Sequence, residues 1–160
     1  MPSPDFVADL RDLVGHRHLL LPGVRAVVRD PEGRVLMIRR ADFDRWDLPS
    51  GIIEPGEQPA LTVAREVREE TGLLVRPTRI LGVGTGVPVT YPNDDVASYV
   101  TIVFACEVVG GDLRPDGIEA VDVAFHPPDR PPASVRLSGV PGGGSERAAF
   151  AWDEEWLEGL

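Results

Sequence analysis

The segment from Gly51 to Leu73 constrains the chain most, because it joins a turn-rich loop to a strongly patterned stretch. Residues 58–71 place apolar side chains at i, i+3 and i+4 spacing, which predicts an amphipathic helix ending at Gly72. The apolar positions are Ala60, Leu61, Val63, Ala64 and Val67. Three glutamates lie on the same stretch, and we expect them on the face opposite the apolar stripe.

Glu66, Glu69 and Glu70 stand at i, i+3 and i+4, so their Cβ atoms are about 5–6 Å apart. At an effective dielectric constant of about 20, each pair of like charges repels by roughly 3 kcal/mol, and full solvation reduces this below about 1 kcal/mol. A divalent cation would turn the repulsion into attraction, and hard oxygen ligands favour Mg²⁺, Mn²⁺ or Ca²⁺. The alternative is an acidic helix face exposed to solvent, the common meaning of three helical glutamates.

The spacing around the helix favours the metal. The pattern runs Gly51-x5-Glu57-x7-Arg65-Glu66-apolar-x-Glu69-Glu70-x-Gly72-apolar. A chance match in a chain of this length is expected about once in a million sequences. The segment resembles the signature box of the Nudix hydrolases, with every defined position filled. The lead-in from Trp46 is also similar, although Ser50 stands where a second glycine is common in the family.

The resemblance implies an α+β fold, a Nudix-type α/β/α sandwich with a mixed β-sheet and the box as loop, helix and loop. It also implies a hydrolase acting on phosphoanhydride bonds, with a nucleoside diphosphate derivative as substrate and Mg²⁺ or Mn²⁺ as cofactor. This chemistry is physically consistent, because a pyrophosphate carries several negative charges that a cation must offset before a nucleophile approaches.

Position in the box, together with one acid outside it, gives four candidate residues for metal binding and four for catalysis or orientation. The metal set is Gly51 through its carbonyl, Glu66, Glu69 and Glu70, and the catalytic set is Glu66, Glu57, Arg65 and Glu119. Glu66 is also a candidate to activate water, while Arg65 and Glu57 are expected to pin the loop to the helix. Glu119 lies on a later strand, where it is either a further ligand or base, or a plain surface acid.

Substrate binding is expected from residues outside the box: Arg25, Arg39, Trp46 and Tyr91. Strand alternation puts Arg39 and Arg40 on opposite faces, so at least one of them points away from the cleft. A strand-borne arginine can pair with phosphate or be a solvated surface residue. Trp46 can stack on a nucleobase or cap the core beneath the box.

Family rules of thumb give two indications of the substrate. Pro88 is associated with ADP-ribose hydrolysis and Tyr91 with dinucleoside polyphosphates, and the stretch 90–95 is similar to a bacterial ADP-ribose pyrophosphatase-like subgroup. An ADP-ribose-like substrate is therefore favoured. Oxidised nucleoside triphosphates and nucleotide sugars stay open as substrates. Two other classes of function also stay open: a nucleotide-sensing module that binds without cleaving, and an interaction domain with a fortuitous acidic helix.

Composition limits the partners. The formal charge of −10 argues against a nucleic-acid polymer or an anionic membrane and leaves a phosphorylated small molecule. Cys106 is the only cysteine, so an internal disulfide is excluded, and a buried thiol in a reducing cytoplasm is expected. No targeting segment is expected at the N-terminus.

The pattern predicts a helix over 4–14, a turn at 30–33 between strands 24–29 and 34–40, and a surface loop over 87–95 beside the cleft. Further strands are expected at 73–76, 80–83, 97–109 and 119–125. We assign residues 1–137 to the Nudix domain, and residues 138–160 to a Gly-rich linker and a C-terminal helix over 145–157. That helix would pack on the domain or on the partner subunit of a homodimer.

Overall fold

The structure, a computed structural model, describes residues 4–132 and 149–150. Two helices lie within these residues, α1 (Asp5–Val14) and α2 (Pro59–Thr71). The strands are β1 (Leu19–Val28), β2 (Val35–Arg40), β3 (Arg45–Asp47), β4 (Ser50–Ile52), β5 (Leu73–Thr85), β6 (Val89–Thr90), β7 (Val96–Gly111), β8 (Ala120–His126) and β9 (Ala149–Phe150).

The strands of the described residues form two sheets. The larger sheet has the order β4-β1-β7-β5-β9, with β6 paired to β7, and the smaller has the order β3-β2-β8. The larger sheet is mixed, because β1 runs parallel to β7 and β9 parallel to β5, while its other pairs are antiparallel. The α+β class and the mixed sheet predicted from the sequence are confirmed.

One face of the larger sheet is covered by α2. Val24 and Val28 of β1 are buried in the same cluster as Val63 and Val67 of α2. Cys106 of β7 belongs to this cluster, and burial raises the pKa of its thiol to about 12. This confirms the prediction of a buried core thiol.

The opposite face carries α1 at one end and the smaller sheet at the other. Val7 of α1 packs with Leu21, whereas Val27 packs with Met37 of β2. Alternate residues of β1 therefore enter different clusters, as the pleat of a strand requires. The larger sheet therefore has a helix on each face, and the predicted helix α1 packs onto it.

The helix α2 begins with Pro59 at its first turn and ends at Gly72, which has the left-handed φ of 72°. Proline at the start and glycine after the end are favourable positions. The predicted helix is confirmed, and Val63 and Val67 of the predicted apolar stripe are buried, but the prediction that the glutamates lie on the opposite, exposed face is wrong for Glu66 and Glu70. Leu61 is 64% exposed, whereas Glu66 and Glu70 are 9% and 1% exposed. These two glutamates face the protein interior together with Val63 and Val67.

Three other predictions need correction. The turn at 30–33 is present, but β1 and β2 continue into different sheets and share only the bridge Arg29↔Val35. The strands predicted at 73–76 and 80–83 are one irregular strand, β5. Residues 149–150 of the predicted C-terminal helix form β9, and the rest of that helix and the linker lie outside the described residues.

No helix of the described part of the chain is both long enough and apolar enough to cross a membrane.

Candidate active site

The loop before α2 brings backbone groups against two glutamates of the helix. Antiparallel pairing with β1 sets Gly51 opposite Val24 and Ser50 opposite Arg25. The backbone N–H of Ser50 donates to Glu70 Oε2 at 3.1 Å. A Cβ atom on residue 51 would collide with the Glu66 carboxylate, so only glycine permits this approach.

Arg65 ties the loop to the helix, as the sequence predicted. Its Nε and Nη2 donate to the two oxygens of Glu57 at 2.9 and 3.1 Å. Its Nη1 donates to Glu66 Oε1 at 2.9 Å and to Glu69 Oε2 at 3.0 Å. Bonding to Arg65 lowers the pKa of Glu57 to about 2, so this pair stays charged over the physiological range.

The buried glutamates have the opposite pKa shift. Burial raises the pKa of Glu66 to about 7, with Arg65 opposing the rise and Glu69 and Glu119 adding to it. Burial, and then the charge of Glu66, raise the pKa of Glu70 well above its ordinary value. The influence of Glu119 on Glu66 and Glu70 places Glu119 near this pair, immediately before β8, and its own pKa is raised by burial.

The predicted set of metal ligands is only partly assembled. In the ranges 4–132 and 149–150, no three His, Cys, Asp or Glu side chains are grouped so that they could hold a metal ion. The side chain of Glu69 is 57% exposed and bonded to Arg65. Gly51, Glu66 and Glu70 do lie together in the interior.

Glu66 and Glu70 nevertheless fit a divalent cation. Within the described part of the chain, Oε1 of Glu70 is buried without a hydrogen-bond partner. Two buried carboxylates at close range require a proton or a cation to offset their desolvation and mutual repulsion. Carboxylate oxygen is the ligand type that Mg²⁺ and Mn²⁺ prefer. The donor set and the unsatisfied oxygen therefore match the cofactor that the sequence predicted.

A cavity rich in arginine opens beside this loop, and we call it the arginine cavity. Its lining includes Ser50 and Gly51 of the loop. Its guanidinium and aromatic groups come from Arg25, Arg40, Phe43, Arg45, Tyr91 and Tyr99. The backbone of Ser50 and Gly51 therefore separates the arginine cavity from Glu66 and Glu70 and contacts both.

The guanidinium groups are held by two aspartates. Asp47, 3% exposed, lies 3.5 Å from Arg25 and 3.9 Å from Arg45. Arg40 donates two hydrogen bonds to Asp42, at 3.0 and 2.7 Å. Three cations and two anions leave a net positive charge, which attracts an anionic ligand.

Phe43 and Tyr91 form an aromatic wall of the arginine cavity. Their ring centroids are 5.7 Å apart with a tilt of 46°. The guanidinium of Arg45 lies 4.6 Å from the Phe43 centroid and that of Arg40 lies 5.8 Å from it, within the range of cation–π contacts. Aromatic faces next to fixed cations suit a ligand that has both a planar base and phosphates.

The four predicted substrate-binding residues divide into two groups. Arg25 and Tyr91 line the arginine cavity, and the predicted loop over 87–95 lies beside it. Among the described residues, its lining does not include Arg39 or Trp46. Arg39 is on the exposed side of β2, 3.5 Å from Asp44. Of these two neighbouring arginines, Arg40 lines the arginine cavity and Arg39 does not.

Trp46 occupies a core position. It packs against a buried cluster and meets the ring of His126 edge-on at 4.7 Å. This contact favours the core-capping alternative for Trp46 over stacking on a nucleobase.

The sequence analysis did not single out Phe43 or Arg45. The run from Arg40 to Arg45 contains two arginines and a phenylalanine directly before the lead-in to the box, and this was a usable signal. Phe43 lies in the short connection between the paired strands β2 and β3, and Arg45 begins β3.

Comparison with known proteins agrees with this geometry. A family model of the NUDIX domain matches residues 19–143. A MutT-like protein of Streptomyces ambofaciens is 41% identical over 117 residues, 73% of this chain and 69% of that protein. An ADP-ribose pyrophosphatase of Methanocaldococcus jannaschii is 33% identical over 120 residues, 72% of this chain and 68% of that protein.

A solved structure of a UDP-X diphosphatase superposes with a TM-score of 0.60 at 26% identity. The match covers 80% of this chain but only 61% of that longer chain. Since the family model spans most of the sequence and the relatives share its core, the chain belongs to the NUDIX domain family and is a Nudix hydrolase, an enzyme of pyrophosphate bonds.

Proposed function

We propose that the protein hydrolyses the pyrophosphate bond of a nucleoside diphosphate derivative in the presence of Mg²⁺ or Mn²⁺, with an ADP-ribose-like compound as the favoured substrate. One observation carries the proposal: the buried pair Glu66 and Glu70 meets the backbone at residues 50–51, which also lines the arginine cavity. A pyrophosphate at this junction has a cation site on one side and guanidinium groups on the other.

Glu66 and Glu70 would hold the cation, with the carbonyl of Gly51 as a further ligand. The bound cation offsets the charge of the pyrophosphate oxygens and so exposes the phosphorus to water. Arg65 and Glu57 keep the loop and α2 in register, since their two hydrogen bonds cross from one to the other. Glu66 and Glu119 are the carboxylates near this point that can accept the proton of the attacking water.

The arginine cavity provides for the nucleotide part of the substrate. Arg25 and Arg45 share Asp47, so each keeps donor capacity for a phosphate oxygen. Phe43 and Tyr91 offer apolar surface to a base. The Methanocaldococcus jannaschii relative bears the name ADP-ribose pyrophosphatase, and this supports an ADP-ribose-like substrate.

The test is a panel of nucleoside diphosphate derivatives with Mg²⁺, with products identified by mass. Release of AMP and ribose 5-phosphate from ADP-ribose is the expected result. Glu70→Gln should reduce turnover by about a hundredfold or more, because a buried charged group of the site is lost. Glu54→Gln is the matched control: Glu54 is an exposed acid of the same loop, and turnover should stay near wild type.

Turnover that survives Glu70→Gln would show that the assigned pair is wrong. Tight binding of ADP-ribose by calorimetry, with no product after long incubation, would instead identify a nucleotide-sensing module.

A further inference from the structure

An ionic cluster outside the active site fastens the 91–95 turn to α1. The carboxylate oxygen Oδ1 of Asp95 lies 3.3 Å from Arg11 Nε and 2.9 Å from His16 Nδ1. Its other oxygen accepts a hydrogen bond from Asn93 Nδ2 at 2.8 Å. Three side chains from two parts of the chain thus converge on one carboxylate.

Arg11 carries the other half of this connection. Its Nη1 donates to the carbonyls of Gly15 and Arg17 at 3.0 and 2.6 Å, and its Nη2 donates to the carbonyl of Val96 at 2.9 Å. The side chains of Arg11 and Asp95 are only 13% and 16% exposed. An ion pair this sheltered, with further hydrogen bonds on both partners, constrains the backbone more than an open surface pair does.

The fastened turn carries Tyr91. The backbone N–H of Tyr91 donates to the carbonyl of Asp95 at 2.9 Å, so the backbone of Tyr91 is fixed to the residue that Arg11 holds. The Tyr91 hydroxyl lies 2.7 Å from the hydroxyl of Tyr99, and its ring contacts Phe43 in the arginine cavity. The path from Arg11 through Asp95 to Tyr91 is therefore continuous.

We propose that Arg11 and Asp95 are positioning residues, which act through Tyr91 to set the aromatic wall of the arginine cavity for substrate binding. The proposal rests on the proposed function, because Tyr91 would contact the nucleotide part of the substrate. The helix that carries Arg11 and the helix that carries Glu66 and Glu70 pack in different clusters, so loss of the pair should weaken substrate binding and leave the chemical step intact.

The variant Asp95→Asn removes the charge and keeps the size of the side chain. KM should rise about tenfold with kcat changed less than about twofold, since a binding interaction is lost and the chemistry is not. Arg11→Gln removes the other member of the ion pair, and it should also raise KM with little change in kcat. Asp94→Asn is the matched control: Asp94 is exposed, has φ of 67°, and asparagine tolerates that conformation.

A double-mutant cycle separates positioning from general stabilisation. In a Tyr91→Ala background, Asp95→Asn should raise KM by less than about twofold further, because the residue through which it acts is gone. An additive effect of the two substitutions, or a fall in kcat that matches a lowered melting temperature, would overturn the proposal.

A second measurement does not depend on activity. The chain has two tyrosines, Tyr91 and Tyr99, so labelling with 3-fluorotyrosine gives two ¹⁹F resonances, assigned with Tyr91→Phe. Asp95→Asn and Arg11→Gln should shift or broaden the Tyr91 resonance, and Asp94→Asn should not. An unchanged Tyr91 resonance in both variants refutes the positioning role. Absence of turnover in the wild type would refute the proposed function alone.

Discussion

The carboxylate of Glu66 can lie against the loop only because residue 51 has no side chain. The absence of a side chain at Gly51 is thus a packing requirement of the site around Glu66. The requirement is steric and local, since the β4 pairing with β1 fixes the backbone at this point.

Gly51→Ala is expected to displace Glu66 and lower turnover by about a hundredfold, because small misplacements of a catalytic group are costly. The measurement is kcat/KM with Mg²⁺, with circular dichroism as a check on the fold. Gly84→Ala is the matched control, because an added Cβ there meets no atom of residues 4–132 or 149–150 within 4 Å. Equal activity of the two variants would show that Glu66 does not need its present position.

Single arginines were harder to place from sequence than the glutamates of the box. Arg39 and Arg40 were correctly predicted to differ, but the choice between them needs a hydrophobic alternation along β2. Residues 35–38 are all buried, because both faces of this strand are covered, so no alternation exists to read. A register shift between Arg39 and Arg40 adds to the ambiguity.

The boundaries of α2 could be predicted, whereas its orientation could not. Proline near its start and Gly72 at its end are local signals. The predicted stripe included Ala60 and Leu61, which are exposed, because the helix is turned so that Glu66 and Glu70 are buried beside Val63 and Val67. Hydrophobic periodicity predicts the wrong rotation of a helix about its own axis where the buried residues include charged ones.

The end of α2 gives a stability prediction. Gly33 and Gly72 have similar left-handed φ values, 79° and 72°, but a Cβ on Gly33 meets nothing, whereas one on Gly72 collides with the carbonyl of Asp112. Gly33→Ala should cost about 1 kcal/mol in the free energy of unfolding through backbone strain. Gly72→Ala should cost about 1–3 kcal/mol more through the added collision. Urea unfolding measures both, and equal losses would contradict the packing at residue 112.

Local sequence patterns could not predict how the strands pair in the two sheets. The parallel pairing of Leu19 with Ala97 joins residues far apart in the chain, and no turn signal announces it. The same holds for the pairing of Arg11 with Asp95 and for the meeting of Phe43 with Tyr91. The resemblance to the Nudix box predicted the fold class and the loop–helix unit. The residues that line the arginine cavity could be identified together only from the tertiary structure.

The burial of Glu66 predicts how the stability of the metal-free protein depends on pH. Its pKa is about 7 in the folded protein, against an ordinary value of 4.5. A carboxyl with a raised folded pKa contributes stability that is present below the unfolded pKa and lost as the pH rises through the folded pKa. The shift corresponds to about 3 kcal/mol, and Glu70 shifts in the same direction.

In EDTA, the free energy of unfolding should therefore fall more between about pH 5 and about pH 8 for the wild type than for Glu66→Gln, by up to about 3 kcal/mol. The comparison with Glu66→Gln is needed because other acids, such as Glu57 with its lowered pKa, act in the opposite direction. Adding Mg²⁺ at the higher pH should restore stability to the wild type, since a ligand that binds the folded state alone stabilises it. Urea unfolding at the two pH values, with and without Mg²⁺, makes the measurement. Identical pH profiles for the two proteins would mean that burial does not raise the pKa of Glu66. The main physical reason to expect a cation at this site would then be lost.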